Sequence, residues 1–152
     1  MPPSRLTRIN LLWFERRKCL LLAQAGTLFT VFAPDMRKVD LMRVGAVAVR
    51  LISHQLDVEE LPPDTFGLLD RGAVQVANTT SRTVLGYMNR IALECRYAIA
   101  DRGGLDRCDI DSLNRELRRE LHLSRRPPGY FVPIDLIHKR LVERCEGGFA
   151  PS

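Results

Sequence analysis

Between Cys19 and Ala33 the chain is apolar at most positions. Cys19-Leu20-Leu21-Leu22-Ala23 contains no polar residue, and after Gln24-Ala25-Gly26 the run Thr27-Leu28-Phe29-Thr30-Val31-Phe32-Ala33 follows. A strand with one wet face alternates polar and apolar residues, whereas a strand apolar throughout belongs inside a covered sheet. The pattern predicts strand, turn, strand over residues 9–33, with strands 17–23 and 27–33 as a central hairpin covered on at least one face. Gly26 suits the positive φ of a short hairpin loop. Pro34 has no N–H to donate and ends the ladder.

Helical periodicity takes over downstream. Asp35 stands where a cap would start a helix over about 36–55, with Leu41, Val44, Ala48, Leu51 and Ile52 along one side. Asp57 to Asp64 form an acidic loop punctuated by Pro62-Pro63. A short strand over 73–77 then leads through Asn78-Thr79-Thr80 into a long helix over 81–101. On that helix Arg82, Gly86, Asn89 and Arg96 share one face, and Val84, Leu85, Met88, Ala92, Cys95 and Ile99 the other. Gly103-Gly104 ends it. Asp109 or Asp111 caps a helix over 110–121 with Ile110, Leu113, Leu117 and Leu121 in register. Residues 125–129 read as a stiff loop, 130–132 as extended, and Pro133 opens a last helix with Ile134, Ile137, Leu141 and Cys145 facing inward.

These elements predict an α+β fold: a small, mainly antiparallel sheet (hairpin 17–33 plus strand 73–77) covered by about four helices. The 81–101 helix and the one beginning near 38 pack on the sheet, and helices 110–121 and 134–145 close its edge. Leu20, Leu22, Phe29, Val31, Val84, Leu85, Met88 and Cys95 are expected to be buried together. At 152 residues the chain suits one domain, with a short flexible start (1–8) and tail (147–152). No apolar run reaches the roughly 20 residues of a membrane helix, and the expectation is a cytoplasmic protein.

Three groups of residues are candidates for a site. The corner of Asn78, Thr80, Ser81 and Arg82, with Asn89 two turns on, combines a helix N-terminus with a guanidinium and suits phosphate or carboxylate. Thr80 or Ser81 would equally serve as an ordinary cap. Arg17 and Lys18, in the basic Arg16-Arg17-Lys18 stretch, would join that corner if the hairpin pairs beside strand 73–77; otherwise they are solvated strand ends. Arg115, Arg118, Arg119, Arg125 and Arg126 form a basic surface opposite the leucine stripe, able to track a phosphate backbone. Glu116 and Glu120 would weaken its field through ion pairs along the helix. The net charge of +5 permits nucleic-acid contact without demanding it. Four dispersed cysteines and three histidines offer no metal-ligand spacing, and no nucleophile elbow or phosphate loop is present. No metal, cofactor or membrane partner is implied.

The stretch Asn10-Leu11-Leu12-Trp13-Phe14-Glu15-Arg16-Arg17-Lys18-Cys19-Leu20-Leu21 and the helix motif Arg82-x-Val84-Leu85-Gly86-x-Met88-Asn89 resemble an uncharacterised bacterial domain family. That family pairs an R-R-K-C-L-L hairpin with an R-S-V-L-G-S-M-N helix. Leu113-Asn114 and Tyr130-x-x-Pro133-Ile134 extend the resemblance over about 10–141. Tyr87 replaces a small residue, Arg90 replaces an acid, and only nine residues precede Asn10, where members usually carry a further strand and linker. The family is of unknown function, so the resemblance implies no activity. The expectation is a binding or regulatory module with an anion- or nucleic-acid-facing surface. The alternatives are an enzyme acting on a phosphate-bearing substrate at the Arg82 corner, or an interaction module for an acidic protein.

Overall fold

The computed structural model describes residues 7–24, 26–67, 74–76, 82–125 and 128–148. Its centre is a four-stranded sheet of β1 (Thr7–Phe14), β2 (Arg17–Gln24), β3 (Thr30–Ala33) and β4 (Val74–Val76), in the order β3-β2-β1-β4. The first three strands are antiparallel neighbours, and β4 runs parallel to β1 with Thr7 opposite Val74. The helices are α1 (Lys38–Met42), α2 (Val44–Val58), α3 (Arg82–Asp101), α4 (Ile110–Leu117) and α5 (Pro133–Gly148). A second, two-stranded sheet pairs β5 (His122–Arg125) with β6 (Pro128–Phe131). No described helix is long and apolar enough to cross a membrane.

The apolar run in β2 has the consequence its composition predicts, because β2 lies inside the sheet and both of its faces are covered. Cys19, Leu21 and Ala23 project to one side, where Phe14, Phe32, Met88, Ile91, Cys95, Ile99, Leu113 and Leu117 complete a core. Leu20 and Leu22 project to the other, among Ile9, Phe29, Val31, Val47, Ile52, Leu56, Ile134 and Ile137. The residues expected to be buried together are thus divided by the sheet: Met88 and Cys95 below it, Leu20, Leu22, Phe29 and Val31 above. The side chains of Val84 and Leu85 lie outside the described residues.

Several local expectations are corrected. Residues 7–14 are one continuous strand, and β1 separates the hairpin from β4. Asp35 does not cap a helix: its φ is +61°, and its carboxylate instead binds Arg17 through bonds of 2.6 and 2.7 Å. The helix begins at Lys38, where Asp40 accepts from the Arg37 backbone N–H, and it is interrupted at Arg43 (φ −122°, ψ 40°). The return strand starts only at Thr30, because Thr27 donates to the Gln24 side chain and Leu28 takes a φ of +58°. Helix α4 stops at Leu117, and within residues 125–132, expected as a stiff loop and a short extended piece, Pro128–Phe131 is a strand paired with His122–Arg125. Cys145 is exposed, not inward-facing.

The β1–β2 turn is held from outside. Glu15 and Arg16 both have positive φ (51° and 64°), as a two-residue hairpin turn requires, although neither is the glycine or asparagine that favours it. Glu15 Oε2 accepts from Leu105 N at 2.9 Å, and a Cβ on Gly104 would lie 2.9 Å from Glu15 Oε1. Glycine at 104, with a φ of +108°, permits both the backbone conformation and this approach.

Candidate anion-binding site

Of the Arg82 corner, Asn78, Thr80 and Ser81 lie outside the described residues, as does the Arg82 side chain. What the backbone establishes is that the start of α3 and the β1–β2 turn are far apart. Arg96 Nη2 donates to the Trp13 carbonyl at 3.3 Å, which places that part of α3 at the β1–β2 turn. Arg82 begins α3 about four turns earlier, about 21 Å away at 1.5 Å per residue. Arg17 and Lys18 therefore do not join the Arg82 corner. Asn89 is exposed on α3, and Gly86 has nothing within 4 Å of where a Cβ would stand, so it is not there for close packing among the described residues.

Arg17 is occupied. Its Nε and Nη2 hold both oxygens of Asp35, and Nη1 donates to Asp106 Oδ1 at 2.8 Å. The hydrogen bonds it donates to Asp35 and then Asp106 raise its pKa further above the ordinary arginine value. Lys18 remains exposed, its Nζ 5.3 Å from the centroid of the Trp13 ring.

The arginines at the C-terminal end of α4 converge instead on one carboxylate. Glu59 follows the last turn of α2, and its side chain is only 1 % exposed. Arg115 Nε lies 3.2 Å from Oε1, Arg118 Nε 3.4 Å from Oε2, and Arg119 Nη1 2.9 Å from Oε2. Burial pushes the Glu59 pKa up, but the hydrogen bond from Arg119 and the charge of Arg118 outweigh it, leaving the carboxyl below its usual range. Arg119 also donates from Nη1 to the Arg115 carbonyl at 2.8 Å, which fixes its orientation.

Arg118, expected on the exposed face, is fully buried. Its guanidinium stacks 4.7 Å from the Phe29 centroid, and Nη1 donates to the Thr30 carbonyl at 3.3 Å. Desolvation lowers its pKa to about 10 against the pull of Glu59, so it stays charged at neutral pH. Arg115 and Arg119, with side chains 56 % and 43 % exposed, keep open surface. The Arg125 side chain and all of Arg126 lie outside the described residues.

Beside this cluster is a cleft of about 410 Å³ lined by Val58, Asp109, Asp111, Ser112, Arg115, Glu116 and Arg119. Its carboxylates already have partners. Asp109 accepts from Ser112 N as the cap of α4, and Asp111 accepts from Gln55 Nε2 at 2.8 Å and lies 3.2 Å from His54 Nε2. Glu116 pairs with Arg102 across from α3, rather than with the arginines of its own helix. No group of three or more His, Cys, Asp or Glu side chains among the described residues is placed to hold a metal ion.

Glu59 is the member that sequence reasoning missed. It was legible as part of an acidic loop, but its arginine partners lie more than fifty residues downstream. The matched pair of features, an acidic loop after one helix and a basic helix later, was the available signal.

Comparison with curated proteins and with solved structures gives no match. A family model does match, over residues 8–136, which includes the β1–β2 hairpin, α3 and the Glu59 cluster. The chain belongs to the DUF6933 family, a domain of unknown function.

Proposed function

We propose that this protein is a small binding or regulatory module that takes a compact anionic group, a phosphate or carboxylate, on Arg115 and Arg119. The observation that carries the reading is the Glu59 cluster: three guanidinium groups meet one buried carboxylate, and two of them remain open to solvent. The carboxylate cancels one charge and leaves two in excess. It also orders the side chains in advance, so a ligand spends less conformational entropy in engaging their planar donors.

The same surroundings argue against a long polyanion at this face. Asp109, Asp111 and Glu116 line the adjoining cleft, and phosphates laid across them would meet like charge. With Arg118 buried, the row of arginines that would follow a nucleic-acid backbone is broken. A ligand with one anionic group at Arg115 and Arg119, and neutral or donor groups toward Asp111 and Ser112, fits the distribution of charge.

The test is calorimetric titration with inorganic phosphate and with phosphorylated and carboxylated small molecules, on the wild type and on an Arg115→Ala/Arg119→Ala variant. Binding by the wild type that the variant loses supports the reading. Equal binding by both, or no binding of any anion by the wild type, overturns it. The variant retains Arg118 opposite Glu59 and should fold.

A further inference from the structure

The β1–β2 turn displays an aromatic ring with more restraint than a plain surface residue needs. Trp13 is 58 % exposed, and Leu11, two residues earlier on the same face of β1, is 49 % exposed. Lys18 stands directly opposite Trp13 in the antiparallel register and places Nζ 5.3 Å from the ring centroid. Arg16, at the turn, is exposed and makes no ion pair among the described residues. The carboxylates nearest in the chain are engaged elsewhere: Glu15 on Leu105 N, Asp35 and Asp106 on Arg17. Arg16, Arg17, Lys18 and Arg96 bring four positive charges to the turn against three negative ones on Glu15, Asp35 and Asp106, an excess of one.

Three contacts from other parts of the chain immobilise this turn. Arg96 donates to the Trp13 carbonyl, Glu15 accepts from Leu105, and Arg17 ties the start of β2 to Asp35 and Asp106. They also maintain positive φ at two residues that do not favour it. An exposed ring on a rigid strand, flanked by two cations that pair with no carboxylate among the described residues, is an arrangement that stacks an unpaired base on the ring face Lys18 leaves open and neutralises the phosphates beside it. A duplex keeps its bases inside and offers no free face for stacking.

We propose that the β1–β2 turn binds single-stranded nucleic acid, with a base stacked on Trp13 and adjacent phosphates on Arg16 and Lys18. Leu11 extends the apolar platform along the strand. The site is separate from the Glu59 cluster and does not depend on the function proposed for it.

Trp13 is the single tryptophan of the chain, so its fluorescence reports on this position alone. Titration with single-stranded oligonucleotides should quench the emission. Two phosphate contacts predict a slope of about −1.4 in log Kobs against log salt. Measured by anisotropy of a labelled oligonucleotide, Trp13→Leu should weaken binding about tenfold or more. Lys18→Glu should weaken it as well, and Arg115→Ala/Arg119→Ala should leave it unchanged. The proposal is overturned by an absence of quenching at low salt, by equal affinity for duplex, or by full binding in Trp13→Leu. Loss of binding in the Arg115/Arg119 variant alone would move the polyanion to α4 and overturn it too. A blue shift on anionic phospholipid vesicles without any response to oligonucleotide would assign the surface to a membrane instead.

Discussion

Asn114 treats Phe32 as a neighbouring strand would. Its Oδ1 accepts from the Phe32 backbone N–H at 2.6 Å, and its Nδ2 donates to the Phe32 carbonyl at 2.9 Å. Phe32 and Thr30 are the residues of β3 whose backbone groups point away from β2. Asn114 meets the first, and Arg118, one turn later at the C-cap of α4, donates to the carbonyl of the second. Residues four apart on a helix rise about 6 Å, and residues two apart on a strand about 6.6 Å. The two spacings match, so a helix covers a sheet edge that would otherwise be open to another chain.

Asn114→Leu keeps the volume but strands both backbone groups in a buried setting. At about 1–3 kcal/mol for each, the expected destabilisation is about 2–6 kcal/mol. Urea denaturation of the variant checks this. A cost under about 1 kcal/mol would mean that the edge does not need the amide.

Glu59 carries a second stability prediction. Glu59→Gln leaves the buried Arg118 guanidinium without its counter-charge, and removing one partner of such a pair costs about 3–5 kcal/mol. Arg118→Met in that background should recover much of the loss, because the uncompensated charge is then gone. The wild type should also be acid-sensitive through this residue. Its folded pKa lies below the ordinary value, so its contribution is complete above that value and lost as pH falls through the folded pKa. Denaturation midpoints measured from pH 6 to pH 3 should fall more steeply in wild type than in Glu59→Gln.

How far the sequence could be read depends on the range over which each feature is determined. The burial of β2, the Leu113–Leu117 stripe and the Asp109 cap follow from neighbours within a turn or a pleat, and all three are present. Asp35 obeyed the same local rule for a cap, yet Arg17, placed alongside it by the sheet, competes successfully for its carboxylate. Arg118 lies opposite a leucine stripe and by periodicity belongs in water. It is buried because α4 ends there and packs on the edge of β3 beside Phe29. The start of β1 was obscured by polar Thr7 and Arg8, which contribute to β4 pairing through backbone groups rather than composition. The candidate site was half legible: its arginines stand out, whereas the acid that gathers them is specified only by the tertiary fold.

The cysteines should separate by reactivity. Cys19 and Cys95 are fully buried, and burial pushes the Cys95 thiol up to about 12. Cys108 is half-buried with its pKa raised by the same cause, and Cys145 is exposed on α5. A thiol reagent applied to the native protein at pH 8 should modify Cys145 first, Cys108 more slowly, and the other two only on unfolding. Mass mapping of the labelled peptides checks the order, and early modification of Cys95 would contradict its place beneath the sheet.

His122 gives a pH dependence distinct from that of Glu59. Its side chain is enclosed at the base of the β5–β6 hairpin, with ring centroids 6.0 Å from Tyr87 and 5.7 Å from Phe131. The Tyr87 hydroxyl donates to the Leu123 carbonyl and ties the hairpin to α3. Neither His122 ring nitrogen has a hydrogen-bond partner among the described residues. Burial holds its pKa below the usual value of 6.5; Glu94 opposes that shift, and Arg90 adds to it. The unfolded chain therefore takes up a proton at higher pH than the folded one. Stability from this residue is intact above the unfolded pKa and declines as pH falls from there toward the folded value. Denaturation midpoints should drop between about pH 7 and pH 5, before Glu59 begins to titrate. His122→Phe keeps a ring against Tyr87 and Phe131 and removes the titration, so its midpoint should stay level over that interval. An imidazole resonance titrating below its ordinary pKa would report the same linkage directly. Parallel pH profiles for wild type and His122→Phe would show that the buried imidazole does not set the acid limit.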